Sequence, residues 1–367
     1  MEKKSLKTRT ASRRSDRSER NVFFTQKPGR LTLSDDTVFT GTMPSWQDGT
    51  YEGEVVFSTG MTGYVEALTD PSFAGQILVF TYPLVGNYGV DEAAAESDRI
   101  QVRGVVMSDL APHWSHGGSD QSFAEWLHGQ NIPLLTGVDT RALTKHLRTR
   151  GVMTGVLSEG QAKAPKAVTI PIVSIDQPVI YGEGAGKKRI ILVDCGMKQN
   201  ILRSLLAQNL QVKRVPYTYD YSGENFDGVV ISSGPGDPED YAETIAITRK
   251  VLAGDKPIFG ICLGNQIMAL AGGGTTYKLK FGHRGHNQPC IEDATEHAVI
   301  TSQNHGYAID ERTLPKEWRV LYRNLNDDSV EGIEHRTKPF FSVQFHPEAC
   351  PGPTDSASLF ERFCKSL

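Results

Sequence analysis

Lys256-Pro-Ile-Phe-Gly-Ile-Cys262-Leu-Gly-Asn-Gln-Ile-Met-Ala-Leu270 joins a short apolar run, 257–261, to a helical pattern, 263–270, with one cysteine at the junction. Gly260 and Gly264 flank that cysteine, which suits a turn too tight for ordinary side chains. A thiol placed there projects from a strand end while the first amides of the next helix aim at it, a setting that favours thiolate. This is the strand–nucleophile–helix turn of hydrolytic enzymes, with sulfur in place of a serine oxygen. A buried cysteine acting as a small core hydrophobe shows the same local pattern. A base elsewhere in the chain separates the two readings.

That base is supplied by Phe341-Ser-Val-Gln-Phe-His346-Pro-Glu348, a strand-like alternation ending in histidine, proline and a carboxylate. A cysteine nucleophile needs a base within hydrogen-bond reach, and the base needs a partner that orients its ring. His346 and Glu348 are predicted to pair because i and i+2 side chains share one side of an extended backbone. Upstream, Ser233-Gly234-Pro-Gly236-Asp-Pro238 reads by itself as an ordinary glycine–proline turn.

Gly260-Ile-Cys262-Leu-Gly264-x-Gln266, Gln344-x-His346-Pro-Glu348 and the Gly-Pro-Gly loop together resemble the signature of class I (triad) glutamine amidotransferases. The resemblance implies a catalytic triad of Cys262, His346 and Glu348, and an oxyanion hole from the amides of Gly236 and Leu263. It also implies glutamine binding by Ser72, Gly234, Gly236, Leu263, Gln266, Asn304, Gly306 and Tyr307, with no metal. One departure is Asn265, where the family usually carries histidine; that histidine is not the base of the triad, so activity is expected to survive, with the elbow's hydrogen bonding or rate left open.

The partner domain is read from three further blocks. Residues 54–76, Thr81-Tyr-Pro-Leu-Val-Gly-Asn87-Tyr-Gly89 and Gly137-Val-Asp139-Thr-Arg141-Ala-Leu-Thr resemble the N-terminal domain of carbamoyl phosphate synthetase small subunits. Thr301-Ser-Gln-Asn304-His-Gly306-Tyr307 and Lys280-Phe-Gly-His283 agree with that family. The resemblance spans about residues 30–365. It implies a flavodoxin-like, open, mostly parallel sheet in the C-terminal part, preceded by a smaller α+β domain of the swivelling β/β/α type. It implies a separate large synthetase subunit carrying ATP, Mg²⁺ and K⁺, with no cofactor on this chain. Ser72 belongs to the first domain, so the glutamine site is expected at the domain interface. A stand-alone γ-glutamyl cysteine hydrolase and a non-catalytic subunit are the alternatives.

Composition fits this frame. The 367 residues suit two domains. No 18-residue apolar run exists, so no membrane span is expected. Five scattered cysteines without Cys-x-x-Cys spacing argue against disulfides or a zinc site and for a reducing, cytoplasmic setting. His283 and His286 are assigned to loop or core roles. Residues 1–20 hold eight Lys/Arg against three Asp/Glu, a net of +5, whereas the whole chain is at −4. Such a start reads as a disordered basic tail over 1–28 rather than a secretory signal or a nucleic-acid arm.

Along the chain, strands are predicted near 29–34, 37–41, 54–58, 76–82 and 100–107, and helices over 122–130 and 140–150, the latter capped by Asp139 or Thr140. Together they make a first domain at 29–157. Residues 158–188, rich in Ala, Lys, Pro and Gly, form the predicted linker. From 189 to 367 strands alternate with helices: strands at 190–194, 211–215 and 228–232, helices at 198–208 and 243–252. Ligands of such open sheets gather outside the carboxyl ends of strands, where the Gly-Pro-Gly loop and Cys262 both fall.

Overall fold

Ile190-Ile-Leu-Val193 can be apolar without interruption because the strand Arg189–Asp194 is covered on both faces. The computed structural model describes residues 25–184 and 186–367. Among them, this strand belongs to a ten-stranded sheet in the order Val179–Tyr181, Gln211–Pro216, Arg189–Asp194, Gly228–Ile231, Ile258–Ile261, Phe340–Val343, Val330–His335, Ala298–Asp310, Thr275–Glu292 and Trp318–Asn324. The five from Gln211–Pro216 to Phe340–Val343 run parallel. Helices Gln199–Ala207, Ala242–Leu252, Leu263–Gly272 and Ser358–Ser366 accompany them, and two apolar clusters hold the layers together. Phe259, stacked on Phe341 at 4.6 Å, is fully buried and contributes about 1.5–3 kcal/mol by its removal from water.

The first domain is a seven-stranded mixed sheet in the order Val38–Pro44, Gln26–Leu33, Met153–Ser158, Thr50–Ser58, Gln76–Phe80, Gly104–Val106, Leu134–Leu135. Its helix Phe123–Gly129 starts in a capping box between Ser122 and Glu125. Helix Thr140–Arg150 is capped by Asp139, whose carboxylate accepts from the Ala142 amide at 2.8 Å. The predicted strand at 100–107 shortens to Gly104–Val106.

One expectation changes. Gln26–Pro28, assigned to the basic tail, pair with Thr42–Pro44 as part of a strand; positions 1–24 of that tail lie outside the described residues. The segment read as a linker, 158–188, packs against the second sheet. Val179–Tyr181 add an edge strand, the Ile175 amide bonds Asp194 at 3.0 Å, and Ala164 is buried. After the elbow the sheet continues in antiparallel strands. The hairpin Thr275–Glu292/Ala298–Asp310 is irregular, with register shifts between Lys278 and His283 and between Gly285 and Gln288. The hairpin meets the first domain through the Lys278–Glu54 ion pair at 2.8 Å and a bond from Thr59 N–H to Arg284 O at 3.2 Å. Among the described residues no helix is long and apolar enough to cross a membrane.

Candidate active site

Cys262 sits between the strand Ile258–Ile261 and the helix Leu263–Gly272 with φ 55° and ψ −103°, a sparsely populated conformation for a side chain of this kind. Two hydrogen bonds hold it there: Cys262 N–H to Val343 O at 2.8 Å and Gly264 N–H to Ser232 O at 3.0 Å. A Cβ on Gly264 would come within 2.1 Å of Ile231 O, and one on Gly260 within 2.6 Å of Gly264 O, so the helix can pack against the sheet only through bare glycines. Leu263 is the first helical residue, and its N–H therefore has no intrahelical acceptor.

His346 and Glu348 are buried and joined by a 2.6 Å bond from His346 Nδ1 to Glu348 Oε1. They do not meet across an extended backbone as predicted. The strand ends at Val343, and the pair is brought together by a turn in which Ala349 N–H returns to His346 O at 3.1 Å. Pro347 lies within that turn. The other ring nitrogen, His346 Nε2, is buried without a hydrogen-bond partner among the described residues. Burial opposes the imidazolium, but the Glu348 carboxylate and Cys262 outweigh it and raise the His346 pKa to about 10. Burial also opposes the Glu348 carboxylate; Lys198 and His346 overcome it and hold the group down to about 2.

Lys198 was not foreseen. It is almost wholly buried, its Nζ 3.3 Å from Glu348 Oε1 and bonded to Ala349 O, while Asn200 Nδ2 bonds Glu348 O. The first domain grips the same helix end: Glu96, fully buried, accepts from Asn200 N–H at 2.9 Å and pairs with Arg203 at 3.1 Å. From sequence, a lysine opening an amphipathic helix reads as solvent-facing, so no local signal marks it.

Around the sulfur lie neutral amides. Gln344 Nε2 approaches Cys262 Sγ at 3.7 Å, and Gln344 Oε1 accepts from Asn265 Nδ2 at 2.9 Å and Gln266 Nε2 at 3.1 Å. Asn265, where histidine was the family expectation, is fully buried and also accepts from Ser342 Oγ at 2.8 Å. Its substitution therefore leaves a satisfied network.

The structure gathers Cys262, Gly234, Gly236, Leu263, Gln266, Asn304, Gly306, Tyr307 and Ser72 around one cavity of about 600 Å³. Ser72 reaches it from the first domain, on a short turn whose amide is held by Asp70 at 2.8 Å; its Oγ is buried without a partner among the described residues. Asp70 also meets Asn304 Nδ2 at 3.4 Å across the domain interface. Residues absent from the sequence-based set line the same space: Glu54 and Gln76 of the first domain, Arg284 and Lys278 of the hairpin, and 166–170 of the connecting segment.

Similarity to known proteins follows the two sheets. Residues 191–366 match the family model "Glutamine amidotransferase class-I", and residues 31–157 match "Carbamoyl-phosphate synthase small chain, CPSase domain". The carbamoyl phosphate synthase small chain of Symbiobacterium thermophilum is 46% identical over 355 residues, covering 90% of this chain and 96% of that one. The small chain of Caldanaerobacter subterraneus subsp. tengcongensis is 45% identical, covering 91% of this chain and 95% of that one.

The chain belongs to the carbamoyl phosphate synthase small chain family.

Larger relatives contain the same unit. Multifunctional protein CAD of Squalus acanthias is 46% identical over 91% of this chain, and the chain spans only 16% of that protein's length. Within this small-chain fold, His283 and His286 take buried or packing roles. His286 lies against Gly60, and burial with Lys198 pushes it down to about 4, so it is neutral. His283, His305 and Glu331 have potential ligand atoms within 4.8 Å of one another, the one such group of metal-capable side chains among the described residues. Hydrogen bonds engage both histidines, His283 to Glu331 Oε1 at 3.2 Å and Asp327 at 2.9 Å, His305 to Tyr307 O at 2.8 Å and Gln303 at 3.1 Å, while Glu331 Oε2 is buried without a partner among the described residues. The sequence reading missed this set because its members lie on three separate strands.

Proposed function

We propose that the chain is the glutamine-hydrolysing subunit of carbamoyl phosphate synthase. The observation that carries this reading is the strained Cys262 elbow facing a cavity with the buried His346–Glu348 pair behind it. Glutamine enters with its side-chain amide toward Cys262 and is held by Ser72, Gly234, Gly236, Leu263, Gln266, Asn304, Gly306 and Tyr307. The Cys262 thiolate attacks the δ-carbonyl, and the amides of Gly236 and Leu263 stabilise the oxyanion, at about 3 kcal/mol per donor in comparable sites. His346, charged and oriented by Glu348, protonates the departing ammonia and leaves a γ-glutamyl thioester. It then takes a proton from water, which attacks the thioester to release glutamate and the thiolate.

Ammonia would be protonated in bulk water, so a synthetase must receive it directly. That role falls to a large subunit binding ATP, Mg²⁺, K⁺ and bicarbonate and making carbamoyl phosphate for arginine and pyrimidine synthesis. Fungal relatives named as arginine-specific small chains, such as that of Chaetomium globosum at 44% identity, support the first of these pathways. All five cysteines are free, which supports a reducing, cytoplasmic setting.

Ammonia release from glutamine tests the reading, measured with and without the large subunit. Weak activity alone, strong stimulation with ATP and bicarbonate, and loss of more than about 10³-fold in Cys262→Ser are expected. Activity indifferent to any synthetase subunit would instead mark a stand-alone hydrolase.

A further inference from the structure

Arg284 is a buried cation in the cavity with no anion of its own. It sits on the irregular strand Thr275–Glu292 and is 5% exposed. Charged side chains are rarely buried to this degree unless paired, because desolvation of an unpaired ion is costly. Yet among the described residues no carboxylate lies within ion-pair distance of its guanidinium. Glu54, the carboxylate whose charge stabilises it, is engaged with Lys278 at 2.8 Å and Gln76 at 3.0 Å instead. Among the described residues the guanidinium makes one hydrogen bond, from Nη1 to Phe281 O at 2.8 Å, and its Nε has no partner.

The surrounding backbone makes room for this group. At Gly282, with φ +69°, an added Cβ would come within 2.5 Å of Nη1, so a side chain there would displace the guanidinium. On the other side, a Cβ on Gly306 would stand 3.5 Å from Nη2, which therefore lies beside a bare Cα that lines the cavity. Cys262 acts on Arg284 electrostatically, and burial lowers the Arg284 pKa while Glu54 and Cys262 work against that change. A buried charge on the wall of a nucleophile's cavity, with donors unspent, fits an anionic part of the substrate. Glutamine carries one such group, its α-carboxylate, and a planar two-donor fork is matched to carboxylate geometry.

We propose that Arg284 is a specificity-determining residue whose guanidinium ion-pairs with the α-carboxylate of the glutamine that Cys262 attacks. This rests on the glutaminase reading above. Arg284 selects free amino acids with a carboxylate at Cα over γ-amides that lack it. It does so by binding rather than by entering the chemical step.

The test compares two substrates on the full chain assembled with its synthetase subunit: L-glutamine and 4-aminobutanamide, which is glutamine with hydrogen in place of the α-carboxylate. Arg284→Gln raises KM for glutamine roughly 10- to 100-fold with kcat within about twofold, and leaves 4-aminobutanamide turnover within about twofold. Preference for glutamine over the analogue, measured as the ratio of kcat/KM values, collapses by the same factor. Arg284→Lys, which keeps charge and loses the fork, falls between. Unchanged handling of the analogue also reports that Arg284→Gln is folded. Equal losses on both substrates overturn the proposal and assign Arg284 to packing. Slower alkylation of Cys262 by iodoacetamide with an intact substrate ratio overturns it too, since the guanidinium would then serve the thiolate. Full glutamine hydrolysis by Cys262→Ser defeats the thiol mechanism alone, because the substrate ratio is read independently of the nucleophile.

Discussion

Two buried carboxylates in this molecule each face a histidine, and they behave in opposite ways. Glu348 lies 2.6 Å from His346 and Glu331 lies 3.2 Å from His283. Burial raises both carboxyl groups. At Glu348 the ammonium of Lys198, 3.3 Å away, and the His346 imidazolium reverse the effect and hold the carboxyl down to about 2. At Glu331 no lysine is present, and His283 shares its charge with Asp327, itself an anion that pushes Glu331 further up; the carboxyl stays raised. The same pair of residue types thus holds the carboxyl down in one place and leaves it raised in the other. The difference is a lysine beside the first and a second anion beside the other.

Breaking the catalytic pair gives the largest expected effect. His346→Ala loses about 10³-fold or more in kcat for glutamine hydrolysis, in line with removal of a general acid–base. Glu331→Gln changes kcat by less than about tenfold because it touches no reacting group. Equal damage from the two substitutions would erase the distinction. The next effect isolates the lysine: Lys198→Met strands a buried Glu348 charge and costs about 3–5 kcal/mol of stability in chemical denaturation. Lys198→Met combined with Glu348→Gln recovers most of that loss, and no recovery would mean that Lys198 acts through packing.

The smallest effect concerns pH. His283 is raised from 6.5 to about 9, despite burial that lowers it, by bonds to Asp327 and Glu331. Its folded pKa lies above the unfolded value. The stability it contributes is therefore fully present below about pH 6.5 and is lost as pH rises through about 9. Denaturation midpoints measured from pH 6 to 10 should fall across that window in the wild type and less steeply in His283→Asn. Parallel curves would show that His283 stays neutral throughout.

The elbow was legible because its constraint is local: Gly260, Cys262 and Gly264 must occupy fixed steps of one turn, and the chain spells them in order. The continuous apolar strand Arg189–Asp194 was legible for a similar reason, since burial on both faces forbids alternation. Glu96 and Lys198 were not, because a charge buried by another domain has the same sequence signature as one facing water. Arg284 shares that obscurity, because it depends on a hairpin whose register shifts, whereas Ser72 and the interfacial site came through the family resemblance. The turn joining His346 to Glu348 was read as extended because the alternation before it runs smoothly into Pro347.

The connecting segment carries a consequence of its own. Residues 166–170 pass from one sheet to the other along the cavity, and Ile170 packs over Gly75 and Gly236, one glycine from each domain. The tether is thus also a wall. A fragment beginning at Arg189 would keep Cys262, His346 and Glu348 but would hold glutamine in an open trough. The boundary that a cloner would choose between the two family matches therefore cuts through the substrate's enclosure.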